Sequence, residues 1–208
     1  ETNKGFFKPD DALNNANAST KAVVSTRIDD LLGTGSLSKE LYAEHANDKG
    51  MNEFGVVSVS VVTKDNGARP LMDSHVVVTP PNRARGNALI GGASPTGPTR
   101  SRQPGASHRE IERILASDID PKNPTFQEGM ANLQTVDWLT MQTDRHPGNI
   151  FVTHDGHVYG IDNDAAFTRP TADQIADKNR GLPPQVPADT AKKIEALSKD
   201  DLLMALTQ

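Results

Sequence analysis

The strongest constraint on the fold of this chain is a β-hairpin signal between two clusters of acidic and amide residues. Two runs that alternate apolar and polar residues flank Asp155-Gly156, a dipeptide typical of a tight hairpin turn. Asp144 and Asn149 stand at the entry to the first run, and Asp162 follows the second run. Because a hairpin returns its two ends to one place, we expect these three side chains to converge.

The residue types at this point indicate a metal site. Carboxylate and amide oxygens suit a hard cation such as Mg²⁺, and the chain has no cysteine that could offer a thiolate to a softer ion. Mg²⁺ held by few protein ligands usually completes its coordination with phosphate oxygens, which indicates nucleotide chemistry. The alternative is that these Asp and Asn residues only form the turns around a hairpin.

The composition excludes several classes of protein. The 208 residues suffice for one large domain or two small lobes, but only 35% are hydrophobic, so we expect part of the chain to lie outside a core. The net charge of −5 argues against binding of nucleic acid by the chain as a whole. The absence of cysteine excludes disulfides and a cysteine nucleophile. No apolar run approaches the roughly 18 residues of a transmembrane helix and no signal peptide opens the chain, so we expect no transmembrane segment and a soluble protein or soluble fragment.

Residues 79–107 differ from the rest of the chain. They contain five prolines and five glycines, a composition that disfavours a helix or a central strand. No acidic residue occurs between Ser74 and His108, whereas four arginines do: Arg83, Arg85, Arg100 and Arg102. We expect an extended insert that is either a solvated loop or a docking surface for an acidic partner or an anionic lipid head group.

The remaining sequence predicts alternating strands and helices. A strand over 5–9 precedes a helix that is capped by Ser19 or Thr20, runs to Leu32 and is stopped by Gly33-Thr34-Gly35. The other predicted elements are extended segments at 37–45, 54–62 and 74–78, helices at 109–115, 126–143 and 171–179, the hairpin at 149–152 and 157–161, and one or two helices over 187–206. Trp138 is expected in the core.

The spacing of the acidic cluster resembles a known catalytic loop. Asp144-Arg145-His146 is followed by Asn149, five positions after Asp144, and Asp162 comes 18 positions after Asp144. This Asp-Arg-His-x-x-Asn pattern resembles that of the phosphoinositide 3/4-kinase branch of the protein-kinase-like fold. The stretch 133–137 also resembles bacterial effector kinase-like proteins of this branch.

The resemblance implies an α+β, two-lobe, protein-kinase-like fold. Residues 1–65 would form a reduced N-lobe, with Lys8 on the strand whose lysine contacts the ATP phosphates, the helix that follows this strand, and a strand leading to the hinge near Thr63. Residues 66–208 would form a mainly helical C-lobe that carries the catalytic hairpin and the insert 79–107.

The resemblance also implies roles for single residues. Asp144 would orient the acceptor hydroxyl and accept its proton, while His146 would either share this acid–base work or brace the loop, and Arg145 would brace it. ATP would contact Lys8, Thr63 and Asp162. Mg²⁺ would be held by Asp162, with Asn149 as a catalytic residue that binds a second ion or has a positioning role. Asp164 would either add a metal contact or cap the next turn.

Two positions depart from the family pattern. The family places a glycine-rich phosphate loop before the lysine strand, but only 1–4 precede that strand here, so the chain is either a fragment or a minimal kinase-like fold. The acid that pairs with the lysine is also missing, since Ala22 occupies its place. Asp29, Asp30 and Glu40 are the substitutes.

The leading functional interpretation is a kinase that depends on ATP and Mg²⁺ and phosphorylates Ser or Thr of a host protein. The alternatives are a phosphoinositide lipid kinase, a non-catalytic kinase-like binding module, and Mg²⁺-dependent phosphoester hydrolysis at the same acids. By resemblance, we expect a secreted bacterial effector and virulence factor that acts in the host cytosol on a protein substrate, without binding nucleic acid.

Overall fold

Strands and helices alternate along the chain in a mixed α+β arrangement. The computed structural model describes residues 5–10, 17–63, 65–78, 110–115, 119–169 and 183–207. The strands in these ranges are β1 (Gly5–Pro9), β2 (Glu40–Ala46), β3 (Asn52–Val59), β4 (Arg69–Pro70), β5 (Met72–Val78), β6 (Glu110–Leu115), β7 (Ile150–Val152) and β8 (Val158–Gly160). The helices are α1 (Ala18–Leu32), α2 (Pro124–Leu139), α3 (Ala188–Ala196) and α4 (Lys199–Thr207), and short 3₁₀ turns form at Pro147–Asn149 and Asn163–Ala165.

The first sheet positions Lys8. Its three antiparallel strands lie in the order β1-β3-β2, with β3 in the centre. Lys8 pairs with Val56, and two residues along β3 Ser58 pairs with Glu40 of β2. Because side chains two residues apart share a face of a sheet, Lys8 and Glu40 lie on the same face. The expectations of a strand at 5–9 and of extended segments near 37–45 and 54–62 are confirmed, with boundaries shifted by a few residues.

Helix α1 packs against this sheet and against the hairpin region. Its apolar stripe is buried, with Val24 at 3% exposure and Leu32 at 0%. The helix ends at Leu32, and Gly33 after it adopts a left-handed conformation with φ 58° and donates its N–H to the last turn of the helix. This confirms the predicted helix stop, because glycine adopts positive φ without the steric cost that other residues pay.

Helix α2 leads into the loop that carries Asp144 and Asn149. Asn123 caps it by accepting a hydrogen bond from the N–H of Thr125, and Leu133 and Val136 are buried. The helix ends at Leu139, four residues before the predicted end at 143, because the chain turns through Met141 at φ 51°. Its apolar face contributes to a core shared with α1 and the hairpin: Val24, Ile28, Leu32, Leu37, Leu71, Ile119, Phe126, Leu133, Val136, Ile150, Val152, Val158 and Ala205.

The predicted hairpin is confirmed. Strands β7 and β8 pair in register through Phe151 and Tyr159, and β4 adds a third strand beside β7. At its far end, Gly160 exchanges backbone hydrogen bonds with the segment after α1, donating to Ser36 at 2.7 Å and accepting from Ser38 at 2.8 Å. The hairpin is therefore tied directly to the segment that leads into β2.

Two expectations are wrong. Residues 109–115 were expected to be helical, but Glu110–Leu115 is strand β6 and pairs antiparallel with β5. Strand pairing with a segment distant in sequence overrides the helix propensity of Glu, Arg and Leu. Trp138 is 48% exposed rather than part of the core.

Several expectations lie outside the described residues or remain predictions. The insert 79–107 and the helix at 171–179 fall outside the described ranges, and the division into lobes at 65/66 stays a prediction. The expectation of one or two helices over 187–206 is met by two, α3 and α4. In the ranges that the structure describes, no helix is long and apolar enough to cross a membrane.

Candidate active site

Hydrogen bonds close the loop between α2 and β7 and bring its polar residues together. The side-chain amide of Asn149 donates to the carbonyl oxygen of Asp144 at 3.2 Å. The backbone N–H of Ile161 donates to the Asn149 carbonyl at 3.0 Å. Asp144, Asn149 and the start of the Asp162 segment therefore meet at the open end of the hairpin, as the turn signal predicts.

Lys8 joins this cluster from the first sheet. Its ammonium group forms a hydrogen-bonded ion pair with Asp162 and a second one with Asp164, at 3.0 Å from Oδ2. The side chains of Lys8, Asp162 and Asp164 are between 25% and 36% exposed, so the cluster is open to solvent on one side. Three of the sequence-predicted site residues, Lys8, Asp162 and Asp164, are thus joined by two ion pairs that share the Lys8 ammonium group.

The charge balance of this cluster favours a charged lysine. Partial burial lowers the pKa of the Lys8 ammonium, but the hydrogen bonds and charges of Asp162 and Asp164 outweigh that effect, and the pKa is raised above its ordinary value of 10.5. Lys8 is therefore cationic at neutral pH and neutralises part of the negative charge of the two carboxylates.

Arg145 braces the loop, as expected. Its Nε and Nη2 donate to the carboxylate of Asp137, an acid in the last turn of α2, at 3.0 to 3.2 Å. Its Nη1 donates to the carbonyl oxygens of Ile161 and Asn149. The guanidinium group lies directly beneath Gly160, where a Cβ atom would come within 2.7 Å of the Arg145 Cζ atom. Only glycine leaves room for this contact.

The backbone of Asp162 is held in an unusual conformation. Its φ of 61° lies in the left-handed region, which costs a residue other than glycine about 1–3 kcal/mol. Gln142 donates to the Asp162 carbonyl at 3.3 Å, and Thr143 donates to the Ala165 carbonyl at 3.2 Å. These contacts from the loop after α2 fix the segment that carries Asp162 and Asp164.

Asp144 and His146 are exposed at the surface of the loop. The Nδ1 atom of His146 accepts a hydrogen bond from the Gly148 N–H at 3.1 Å. The other ring nitrogen, Nε2, is then the one available to a substrate. Asp144 donates its backbone N–H to the Gln142 side chain, which orients the main chain beneath its carboxylate.

Thr63 lies in an exposed turn after β3, where it exchanges hydrogen bonds with Asn66. Its contact with adenine stays a prediction.

None of the three acids considered as partners of Lys8 forms an ion pair with it in the described part of the chain. Asp29 binds Thr34 and two backbone N–H groups, Asp30 pairs with Lys39, and Glu40 binds Ser38 and Ser58.

An open cavity of about 360 Å³ adjoins the Lys8 cluster. Such a volume lies at the lower end of the range for small-molecule sites. Its walls come from β1, β3, the first turn of α1 and the turn after Asp162: Phe6, Phe7, Lys8, Pro9, Ala18, Ser19, Val56 and Asp164. The wall is mostly apolar, and its charged members are Lys8 and Asp164.

The donor set fits Mg²⁺. Asp162 and Asp164 already direct their carboxylates at one positive charge, the Lys8 ammonium. The amide nitrogen of Asn149 is engaged with Asp144, so its oxygen is the atom that could bind a cation. Among the described residues, no three His, Asp or Glu side chains gather as a metal site. Two carboxylates and one amide are few ligands for Mg²⁺, and they would leave coordination positions for phosphate and water.

Sequence reasoning missed two side chains that hold Arg145 in this site. Asp137 holds Arg145, and Asn163, which is 1% exposed, accepts a hydrogen bond from Arg145 Nη2 at 2.8 Å. The signal for Asp137 was an acid in the last turn of an amphipathic helix, close in sequence to an arginine. Asn163 carried no signal beyond a polar residue between two acids.

The comparisons point to one family. The family model for phosphatidylinositol 3- and 4-kinases matches residues 107–203. This match, just under half of the chain, contains the whole segment from Asp137 to Asp164 but not Lys8. It supports a relationship to these kinases and, with it, a phosphotransferase activity. No curated protein matches the chain significantly.

Proposed function

We propose that this chain is a kinase that depends on ATP and Mg²⁺ and transfers the γ-phosphoryl group to a serine or threonine hydroxyl of a protein. The observation that carries the proposal is the ion-pair cluster of Lys8 with Asp162 and Asp164. It joins a strand near the start of the chain to the loop that the family model matches. A cation, two carboxylates and a neighbouring amide are the groups that phosphoryl transfer requires.

Each residue then has a chemical role. Lys8 would bind the phosphates of ATP, while Asp162, Asp164 and Asn149 would hold Mg²⁺, which would supply positive charge to neutralise the phosphates. Asp144 is exposed and accepts the proton of the acceptor hydroxyl, and the exposed His146 shares this acid–base work through Nε2. Arg145 fixes the loop through Asp137, so the backbone that carries Asp144 and Asn149 needs little rearrangement when substrates bind.

The choice of a protein acceptor rests on the resemblance of residues 133–137 to bacterial effector kinase-like proteins. The same resemblance supports action as a secreted effector in the cytosol of a host cell. The arginine-rich insert, residues 79–107, is the proposed contact for an acidic partner or an anionic lipid, on the grounds of its composition alone.

The test uses ATP labelled on the γ-phosphate. The wild type is incubated with Mg²⁺ and either a protein lysate or phosphoinositide vesicles. We expect label in protein, loss of the signal in Asp162→Ala, and wild-type transfer in Asp189→Ala, whose side chain is 88% exposed on α3. Label in lipid alone would make the chain a lipid kinase. No transfer to either, with wild type equal to Asp162→Ala, would overturn the enzyme proposal.

One observation favours a second candidate, a non-catalytic binding module. The Lys8 ammonium lies between Asp162 and Asp164, where a cation would otherwise bind, and no acid of α1 draws it away in the described residues. A module of this kind would transfer no phosphate. It would also show no stabilisation by ATP and Mg²⁺.

A further inference from the structure

Asn163 is buried between the two acids of the site. Its side chain is 1% exposed, and it separates Asp162 from Asp164 in sequence. The amide nitrogen donates to Glu40 Oε1 at 3.3 Å and lies 3.4 Å from Ser38 Oγ. The amide oxygen accepts from Arg145 Nη2 at 2.8 Å. One carboxamide therefore bridges the strand β2 and the catalytic loop.

The two ends of this bridge fix the orientation of the amide. A carboxylate lies at its nitrogen end and a guanidinium group at its oxygen end. A flipped amide would place its oxygen against the Glu40 carboxylate and its N–H₂ group against Arg145. Both contacts would be repulsive, so the charges of Glu40 and Arg145 select one orientation of Asn163.

The Glu40 carboxylate that accepts from Asn163 is buried, and its burial destabilises the fold. It is 3% exposed, and its direct partners besides Asn163 are the hydroxyls of Ser38 and Ser58, at 3.2 and 2.5 Å. Among the described residues Glu40 forms no ion pair, although the charge of Lys8 acts on it and favours its ionised form. Burial of such a carboxylate is costly, and an apolar side chain would fill the same space with less loss of stability. Burial accordingly raises the pKa of Glu40, against the effect of the two serine hydroxyls. A carboxylate buried at this cost, with the Asn163 amide among its partners, indicates a positional role.

The bridge acts on the backbone that carries both site acids. Asp162 has a φ of 61°, and the 3₁₀ turn at Asn163–Ala165 follows it directly. A side chain locked at position 163 fixes where the flanking carboxylates point, whereas a free one would let the turn relax.

We propose that Asn163 is a positioning residue, which couples Glu40 of the first sheet to Arg145 of the catalytic loop and so aims Asp162 and Asp164 at the metal. This inference rests on the proposed function, because it assumes that Mg²⁺ binds at these acids together with ATP. Loss of an outer partner of metal ligands typically weakens metal affinity about 10–100-fold.

The test is a Mg²⁺ titration at fixed ATP, followed by the thermal unfolding midpoint. Asn163→Asp keeps the size and the acceptor for Arg145 but places a carboxylate oxygen against Glu40. We expect it to raise the Mg²⁺ concentration at half-maximal stabilisation by about 10-fold or more. The double variant Asn163→Asp, Glu40→Gln restores a donor opposite the new acceptor, and it should recover most of the loss.

A matched control separates positioning from general destabilisation. Thr190 is a buried residue of α3, and its hydroxyl donates to the side chain of Asn132 on α2 at 2.7 Å. Thr190→Val removes this hydrogen bond. It should lower the unfolding midpoint without moving the Mg²⁺ concentration required. If the single variant Asn163→Asp does not fold, the Mg²⁺ concentration at half-maximal stabilisation is compared between the double variant and Glu40→Gln. We expect the double variant to need about as much Mg²⁺ as the wild type.

The outcomes distinguish the two claims. If the wild type shows no stabilisation by ATP and Mg²⁺, the proposed function fails and the inference fails with it. If the wild type responds but Asn163→Asp keeps the wild-type Mg²⁺ requirement, or if Glu40→Gln rescues nothing, only the positioning role is overturned.

Discussion

At the scale of single residues, Lys8 serves as the internal counter-ion of the site. Two carboxylates share its one ammonium group, and all three side chains are partly open to solvent. Without that charge, Asp162 and Asp164 would repel each other across a short distance. A divalent cation can take over the same task, so Lys8 and a metal compete for or share the two acids.

Replacement of Lys8 by Met should expose this relation. In the absence of nucleotide, we expect Lys8→Met to lose roughly 1 kcal/mol of unfolding free energy, a modest loss because the ion pairs are about one third exposed. Mg²⁺ alone should stabilise Lys8→Met more than the wild type, because the cation replaces the missing ammonium group. Thermal unfolding with and without Mg²⁺ measures both effects.

Lys39→Met is the matched control for that experiment. Lys39 forms an ion pair with Asp30 at 2.9 Å, with side chains 62% and 50% exposed, away from the Lys8 cluster. Its replacement should leave the response to Mg²⁺ unchanged. An equal response to Mg²⁺ in Lys8→Met and the wild type would show that Lys8 is not the counter-ion of these acids.

Glu40 gives the protein a pH dependence of known sign. Burial raises its pKa above the ordinary value of 4.5, despite the hydrogen bonds from Ser58 and Ser38. The folded state therefore holds the proton more tightly than the unfolded state. The contribution of Glu40 to stability is fully present below pH 4.5 and is lost as the pH rises through the raised pKa.

Glu40→Gln should flatten this part of the pH profile. Because glutamine does not ionise, the variant should gain stability relative to the wild type as the pH rises from 4.5 to neutrality. Urea unfolding across that range gives the difference in free energy. Glu44→Gln changes an exposed acid of the same strand and should leave the profile unaltered. A constant difference between Glu40→Gln and wild type would contradict the assigned direction.

At the scale of elements, local sequence signals predicted those parts whose pattern is set by neighbours in the chain. The buried stripe of α1, its stop at Gly33 and the Asp155-Gly156 hairpin all follow from spacing within a few residues. The sequence did not predict strand β6, because its pairing partner β5 is separated from it along the chain by the insert. No local pattern encodes such a distant partner.

Trp138 shows the same limit on one helix. It follows Val136 by two residues, which places it about 200° around the helix from that buried side chain. The position on the helix, not the size of the aromatic ring, decides which side chains are in the core. Leu133 and Val136 face the core, and Trp138 faces partly outward.

Two alanine variants of α2 test this assignment. Leu133→Ala should cost about 2–5 kcal/mol of unfolding free energy, because it leaves a cavity in the core. Trp138→Ala should cost clearly less, because nearly half of the side chain, 48%, is already exposed. Chemical denaturation measures both values. Equal losses would return Trp138 to the core and contradict the described orientation of α2.

At the scale of the whole molecule, the site is assembled from three distant parts of the chain. The spacing within the hairpin region placed Asp144, Asn149 and Asp162 together without further help. Only the resemblance to a kinase family predicted that Lys8 belongs to the site. The bridge from Glu40 through Asn163 to Arg145 escaped notice, because pairs of polar residues that are far apart in sequence leave no periodic trace.

The charge of the molecule also has a local meaning. The chain carries a net charge of −5, and two of its acids converge on Lys8 rather than serving solubility alone. Such a concentration of carboxylates is tolerated because a cation, either ammonium or metal, lies between them. We therefore predict that ATP and Mg²⁺ depend on each other for binding.

Titration calorimetry with ATP, with and without Mg²⁺, tests this central claim most directly. We predict that the folded wild type binds ATP in the presence of Mg²⁺, that omission of Mg²⁺ greatly weakens binding, and that Asp162→Ala abolishes the effect of the metal. At a free ligand concentration 100-fold above Kd, binding should also raise the unfolding free energy by about 2.7 kcal/mol. A folded wild type that binds no ATP at millimolar nucleotide and Mg²⁺ would contradict the account.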